Sequence, residues 1–223
     1  KYFPGVLNRV ENAYIMSRLK ASMKHADRII TISEFSRREI DAMCPGSGKR
    51  VRVIYNGLNE VKCSRDKCAL IPEEPYIYAA ASGLPHKNAA GVLKTYDAYY
   101  HQTQHPARLI VVGIPNTDGY EISSEAASHV TCYKYIESSE DMHSLLAGAR
   151  VFLFLSLIEG FGFPPLEAMQ LGVPVVCSDR TALAEVVGDA GLLTDPDNYA
   201  QSVKCLNRVL TEEELRQQLI KKG

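Results

Sequence analysis

The feature that most limits the fold of this chain is a repeated alternation of short apolar runs with longer amphipathic segments. From residue 76 onward the apolar runs have few polar interruptions. A strand that is apolar along its whole length is buried on both faces, which is typical of a parallel sheet covered by helices. The pattern therefore predicts an α/β fold in which a Rossmann-like parallel sheet is flanked by helices.

The alternation also predicts where the elements and the domain boundary lie. Strands are predicted at residues 28–32, 51–54, 76–81, 109–112, 130–135, 151–157 and 173–177. After a first helix that contains residues 14–23, helices are predicted at 34–43, 88–101, 141–149, 165–171, 183–187, 199–210 and 212–221. The turn signal Asn56-Gly57 separates a short first part, residues 1–57, from the main domain, residues 58–223.

Charge gives little evidence for a polyanionic partner. The 223 residues carry a formal net charge of −1, so nucleic acid is not an expected partner. Residues 1–38 differ, since eight basic and three acidic side chains give them a net charge of +5. This segment is either a solvated helix face or a surface that faces phosphates or a membrane.

Cysteine usage and hydropathy suggest a cytoplasmic protein, with peripheral contact at the inner membrane face as an open alternative. The six cysteines are scattered and form no C-x-x-C pair, so neither a zinc site nor a disulfide framework is predicted. No apolar stretch approaches the roughly 20 residues that span a bilayer, and no signal peptide is evident. Because the sequence begins at Lys1, we expect it to be part of a longer protein.

The candidate chemistry is expected in the loops that follow the strands. In open parallel sheets, ligands bind at the carboxyl ends of the strands, near helix N-termini. The loop after residue 157, the end of the most apolar strand, contains Gly160 and Gly162, which allow a ligand to approach the main chain closely. Backbone N–H groups before a helix at Pro165 could bind a diphosphate.

Two carboxylates, Glu159 and Glu167, bracket this turn. Carboxylates do not bind phosphate well, but they suit hydroxyl groups on either side of it, such as those of a ribose and a sugar. Two simpler interpretations stay open at this point. Glu167 could pair with the helix N-terminus, and Glu159 could be a solvated loop charge.

Residues 156–197 resemble the signature region of the family 4 glycosyltransferases. The E-x7-E motif of that family stands at Glu159 and Glu167, with Pro164-Pro165 between them. The continuations at residues 172–176 and 185–193 are also similar, and weaker resemblance extends to residues 26–36 and 54–57. The resemblance implies a retaining glycosyltransferase of the two-domain GT-B architecture, in which this chain is the nucleotide-sugar-binding C-terminal half and residues 1–57 are a remnant of the N-terminal, acceptor-side domain.

The resemblance also implies roles for individual residues. Glu167 would bind the ribose hydroxyls and Glu159 the hydroxyls of the transferred sugar. Lys87 would neutralise the leaving diphosphate, which makes Glu159 and Lys87 the catalytic residues. The main chain against the diphosphate and sugar is that of Gly160, Phe161, Gly162 and Phe163, and the loop at Tyr135 and Ile136 would hold the base.

The sequence departs from the family where an arginine usually accompanies the lysine. His86 and Ser82 stand at the two positions where that arginine occurs. Both are therefore counted among the donor-binding candidates, but histidine helps only when it is protonated. Arg180 is a further candidate for the missing positive charge.

The implied reaction transfers a hexose from a nucleotide diphosphate sugar to a glycan or lipid-linked acceptor hydroxyl, with retention of configuration. Residues 85–88 and 160–165 resemble those of family members that use GDP-mannose; this resemblance favours GDP-mannose as the donor, and UDP-sugars stay open. No metal or other cofactor is expected. Because the family's glycine-rich loop and catalytic histidine belong to the N-terminal domain, this chain alone is expected to bind a donor without transferring sugar.

Other functions remain as alternatives. A non-catalytic sugar-nucleotide-binding subunit is one, and a GT-B-fold sugar-nucleotide epimerase is another. A nicotinamide-dependent dehydrogenase is disfavoured, since no G-x-G-x-x-G follows the first strand of the main domain.

Overall fold

The computed structural model describes residues 6–65 and 68–223, without the side chains of residues 6–10. The chain divides into two compact units, Lys1–Gly57 and Leu58–Gly223. This division coincides with the turn signal at Asn56-Gly57.

Within residues 6–57, the first unit contains two α-helices and two short parallel strands. Its elements are α1 (Val6–His25), β1 (Ile29–Thr31), α2 (Glu34–Met43) and β2 (Val51–Val53). Strand β1 pairs with β2, with Ile29 opposite Val51. The α2 helix begins after Ser33, whose hydroxyl accepts a hydrogen bond from the N–H of Ser36, as expected for an N-cap serine.

The second unit alternates strands and helices. Its strands are β3 (Tyr76–Ala80), β4 (Arg108–Val112), β5 (Val130–Tyr133), β6 (Val151–Phe154), β7 (Val175–Ser178) and β8 (Leu192–Thr194). Its helices are α3 (Ala89–Gln102), α4 (Ser124–Ala127), α5 (Ser139–Ala147), α6 (Phe163–Gln170), α7 (Ala182–Val187), α8 (Tyr199–Thr211) and α9 (Glu213–Lys222).

The six strands of the second unit form one parallel sheet in the order β5-β4-β3-β6-β7-β8. The chain builds outward from β3 to one edge, then returns to the centre and builds outward from β6 to the other edge. The neighbours β3 and β6 are therefore the switch point of a doubly wound sheet, beside which ligands bind in such folds. The predicted α/β fold with a Rossmann-like parallel sheet is confirmed.

The sheet separates two hydrophobic clusters because successive side chains of a strand point to opposite faces. On β3, Ile77 and Ala79 belong to a cluster that includes apolar residues of α3, α8 and α9. Tyr76 and Tyr78, between and beside them, belong to a second cluster with residues of α5, α6 and α7. Both faces are covered, which is why the two central strands, β3 and β6, carry no charged side chain.

The structure differs from the predicted elements at several boundaries. Strand β6 ends at Phe154 rather than at residue 157, and β5 ends at Tyr133 rather than at residue 135. Helix α6 begins at Phe163, two residues before the predicted start at Pro165. Strand β8 and helix α4, with three and four residues, were not predicted, because Leu192-Leu193 is too short an apolar run and α4 completes only about one helical turn.

Within the described residues, no helix combines the length and the apolarity that a membrane span requires. The cysteines at positions 44, 63, 68, 132, 177 and 205 are free thiols. Burial raises the pKa of the Cys177 thiol to about 12, so this side chain behaves as a small apolar residue of the core.

Candidate active site

An ion pair lies at the switch point, between the loop after β3 and the loop after β6. The Nζ atom of Lys87 is 2.7 Å from Oε1 of Glu159. The Lys87 side chain is 27% exposed and the Glu159 side chain 14%, so water screens the pair less than it would a surface pair. Lys87 Nζ also lies 5.8 Å from the centre of the Phe154 ring, within the range of a cation–π contact. The structure thus brings together the two residues that the resemblance assigns to catalysis.

Hydrogen bonds to main-chain carbonyl groups fix the relative position of these two loops. The carbonyl oxygen of His86 accepts hydrogen bonds from the N–H of Leu157 at 2.7 Å and from the hydroxyl of Ser156 at 2.9 Å. The amide of Asn88 donates to the carbonyl of Leu155 at 3.0 Å. These three bonds flank Lys87 in the chain and join segments about 70 residues apart. His86 therefore contributes through its carbonyl group, whatever its imidazole does.

Asn88 has three tasks at this junction. Its backbone is left-handed (φ 56°, ψ 45°), and its side-chain oxygen caps α3 by accepting a hydrogen bond from the N–H of Gly91. Its side-chain nitrogen donates to the carbonyl of Leu155, the residue that follows β6. Asparagine tolerates this conformation better than most residues and supplies both a donor and an acceptor.

We expect Asn88→Ala to lower the free energy of unfolding by about 2 kcal/mol. The substitution removes the cap of α3 and the hydrogen bond to Leu155, and it places alanine at positive φ. The matched control is Asn198→Ala. Asn198 caps α8 through the N–H of Gln201 but has a φ of −100°. Loss of the cap alone is expected to cost about 1 kcal/mol. Urea denaturation of both variants checks the difference, and equal losses would show that neither the bond to Leu155 nor the left-handed backbone of Asn88 adds to the cost.

Helix α6 follows the turn after Glu159 and contains Glu167. Its N-cap, Gly162, has φ 122° and ψ 55°, and a Cβ there would lie 2.8 Å from the side chain of Leu183. Two of the first three helical residues, Pro164 and Pro165, have no N–H. The start of α6 therefore presents fewer N–H groups to an anion than an ordinary helix does.

Because α6 begins at Phe163, Glu167 lies in the second turn rather than in the first. Its carboxylate acts electrostatically on the buried Tyr78 of β3. Burial is the main cause that raises the pKa of the Tyr78 hydroxyl, and the negative charge of Glu167 is the second. Glu167 is half-buried, and it lies beyond the first helical turn, where a carboxylate pairs best with a helix N-terminus.

The other predicted donor-binding residues differ in their exposure and contacts. Tyr135 is 75% exposed in the loop after β5, while Ile136 packs against the second hydrophobic cluster. Phe163 is 41% exposed and its ring centre lies 5.3 Å from that of the buried Phe161. The hydroxyl of Ser82, half-buried, accepts a long hydrogen bond of 3.4 Å from the N–H of Leu84.

Arg180, the candidate for the missing positive charge, is engaged elsewhere. Its Nη2 atom lies 2.8 Å from a carboxylate oxygen of Asp195 and 2.6 Å from one of Asp197. These two carboxylates neutralise the guanidinium in this structure. The side chain next to it, Thr181, was not singled out by sequence reasoning, although its hydroxyl accepts a hydrogen bond from the N–H of Glu159.

Comparison with known proteins identifies the family of this chain. Residues 62–223 match the family described as "Glycosyl transferases group 1". The chain belongs to this glycosyltransferase family. Residues 1–62 match a second family of the same kind, described as "Glycosyltransferase Family 4".

The relatives of this glycosyltransferase chain include enzymes of O-antigen synthesis. It is 35% identical over 202 residues to O-antigen chain mannosyltransferase B of Escherichia coli, which covers 83% of this chain and 52% of that protein. It is 26% identical over 201 residues to O-antigen chain mannosyltransferase RfbU of Salmonella typhimurium, covering 88% of this chain and 54% of the relative. The chain thus spans about half the length of these curated relatives.

The fold of this glycosyltransferase chain is shared with a solved structure. The structure of WaaG, described as a glycosyltransferase involved in lipopolysaccharide biosynthesis, superposes with a TM-score of 0.71 and 18% identity. The match covers 87% of this chain and 56% of WaaG. The prediction of a GT-B glycosyltransferase is confirmed. The retaining mechanism, the roles of the site residues and the part that this chain has in a larger enzyme stay predictions.

Proposed function

We propose that this chain is the donor-binding half of a retaining mannosyltransferase, which transfers mannose from a nucleotide diphosphate sugar to a hydroxyl of a glycan or lipid-linked acceptor. The relatives that match the chain over most of its length are named mannosyltransferases. GDP-mannose is the donor we favour, and a UDP-sugar is the alternative that the test below distinguishes.

The observation that carries the proposal is the Lys87–Glu159 pair at the carboxyl edge of β3 and β6. A departing nucleoside diphosphate develops negative charge, and a fixed ammonium group in a partly shielded position stabilises that charge better than water does. A carboxylate beside it can accept hydrogen bonds from sugar hydroxyls. The pair therefore fits both sides of the bond that breaks, the diphosphate and the hexose.

The reaction requires that the bond from the anomeric carbon to the diphosphate oxygen breaks, with its electron pair going to that oxygen. The acceptor hydroxyl then forms a bond to the same face of the anomeric carbon, and its proton goes to the departing diphosphate. Lys87 would hold the diphosphate, Glu159 would orient the sugar and Glu167 would bind the ribose hydroxyls. Main chain at residues 160–163 would line the diphosphate, and the loop at Tyr135 and Ile136 would hold the base. We expect no metal ion in this step.

Most of the acceptor-binding domain would correspond to the part of the relatives' sequences that this chain does not match. In the proposal, the first unit, residues 1–57, belongs to that acceptor-side domain. Its positive charge, with eight basic and three acidic side chains among residues 1–38, would suit a lipid-linked acceptor at the inner membrane face.

Calorimetric titration with GDP and with UDP tests the donor site directly. We expect saturable binding of one nucleotide, and we expect Glu167→Ala to weaken it about 10- to 100-fold, because hydrogen bonds to a charged group are lost. Glu214→Ala, which removes an exposed carboxylate from α9, is the matched control and should bind as the unaltered protein does.

The outcome decides between the proposal and its alternatives. If the complete protein binds neither nucleotide, the proposed donor-binding site is contradicted. If it binds a nucleotide sugar and releases free epimerised sugar nucleotide, an epimerase is favoured. If it binds the donor but transfers nothing to any glycan acceptor, the non-catalytic subunit is favoured. The anomeric configuration of a transferred mannose, measured by NMR, tests retention.

A further inference from the structure

Thr181 has a backbone conformation that a threonine rarely adopts. Its φ is 59° and its ψ is −135°. In the described part of the chain, the non-glycine residues with positive φ are Asn88 and Thr181. Asn88 lies in the ordinary left-handed region that asparagine tolerates, but Thr181 is β-branched and lies outside it. Such strain persists only where the surrounding structure enforces it, and it clusters at functional sites.

The contacts of Thr181 show what its conformation holds in place. Its Oγ1 accepts a hydrogen bond of 3.0 Å from the N–H of Glu159 and donates one of 2.8 Å to the carbonyl of Arg180. The next residue, Ala182, bonds to the other main-chain group of Glu159: its N–H donates to the carbonyl of Glu159 at 3.4 Å. The peptide groups on both sides of the Glu159 Cα are therefore tied to the turn that contains Thr181.

The turn itself is anchored to strands β7 and β8. The N–H of Arg180 donates to the hydroxyl of Ser178 at 3.2 Å, and the guanidinium pairs with Asp195 and Asp197, which follow β8. These bonds fix the residue before Thr181 at both its main chain and its side chain. The strain at Thr181 is thus imposed by a network that ends at Glu159.

We propose that Thr181 is a positioning residue, whose hydroxyl fixes the main chain of Glu159 so that the carboxylate faces Lys87 and the transferred sugar. This inference rests on the proposed function and extends it to a residue that does not touch the donor. Without the hydroxyl, Glu159 keeps its charge but loses one of its two main-chain ties. Contacts to the sugar then weaken, while the ribose contacts of Glu167, on α6, do not depend on this turn.

The test compares binding of GDP-mannose with binding of GDP in the complete protein. Thr181→Val removes the hydroxyl at nearly constant shape, and Thr181→Gly removes it and also relieves the strain at positive φ. We expect both variants to bind GDP-mannose about 10-fold more weakly, the loss expected for one hydrogen bond that orients a charged group, while GDP affinity changes less than about 2-fold. Thr181→Ser, which keeps the hydroxyl, should restore GDP-mannose binding to within about 2-fold.

The variants separate positioning from a merely structural role. If the valine variant fails to fold, the glycine variant carries the test, because it removes the strain. Equal losses of GDP-mannose and GDP affinity, full GDP-mannose affinity in the glycine variant, or failure of the serine variant to restore it would each overturn the proposal. If the unaltered protein binds neither GDP-mannose nor GDP, nor the corresponding UDP compounds, the proposed function fails, and the inference about Thr181 fails with it.

Discussion

Replacing Lys87 with methionine is expected to lower the rate of sugar transfer about 10²- to 10³-fold, the loss typical of removing one preorganised group that stabilises developing charge. The reason is the position of the ammonium group, shielded by the Phe154 ring and held 2.7 Å from Glu159 at the switch point of the sheet. Methionine keeps much of the length of the side chain but removes the charge. Steady-state kinetics of the complete enzyme, with GDP-mannose as donor, measure the effect.

Lys94→Met is the matched control for this substitution. Lys94 also pairs with a glutamate, Glu121, at 2.6 Å, but that partner is 83% exposed. Its loss should leave transfer within about 2-fold of the unaltered enzyme and should change stability by less than about 1 kcal/mol. A Lys87→Met enzyme that retains most of its activity would show that the leaving group is stabilised elsewhere.

A double-mutant cycle with Glu159→Gln separates the two roles of the pair. In the structure, Glu159 neutralises Lys87, so the lysine must exchange part of that interaction for the diphosphate when the donor binds. If Glu159 only held Lys87, the double variant would be no worse than Lys87→Met alone. We expect a further loss of at least about 10-fold, because Glu159 also orients the sugar.

The positions of most strands and helices could be predicted from the sequence, because the apolar runs and the capping residues that mark them are local features. The apolar runs at β3 and β6 are long enough to show burial on both faces, and Ser33 marks the start of α2. The order of the strands is not local. The contact between Lys87 and Glu159, 72 residues apart, follows from the pairing of β3 with β6, which the apolar pattern alone does not specify.

The site could be predicted only as far as its residue types were informative. Glu159 and Glu167 were noticed from their position around the turn, Lys87 and the individual roles came from the family resemblance, and the structure places Glu159 and Lys87 in contact. Thr181 was missed because threonine is not a residue that signals positive φ. Its conformation is set by tertiary hydrogen bonds to Glu159 and Arg180, which leave no local trace in the sequence.

Gly113 is the position where one added methyl group is expected to cost the most stability. It follows β4 with a φ of 118°, and a Cβ there would lie 2.3 Å from the carbonyl oxygen of Ala81. Because this neighbour is main chain, it cannot rotate away as a side chain can. We expect Gly113→Ala to lower the free energy of unfolding by about 3 kcal/mol or more, from backbone strain and overpacking together. Urea denaturation with a two-state fit measures it.

Gly119→Ala separates the two contributions, because Gly119 also has a positive φ, 79°, but a Cβ there meets no atom within 4 Å. It should cost only the conformational strain, about 1 kcal/mol.

The clash at Gly113 should also affect the donor site, since Ala81 leads into the loop that contains Ser82 and Lys87. If Gly113→Ala folds by displacing Ala81, it should also weaken nucleotide-sugar binding, whereas Gly119→Ala should not. Equal stability losses in the two variants would show that the main chain at Ala81 yields freely, and that the close approach of β3 and β4 does not fix this loop.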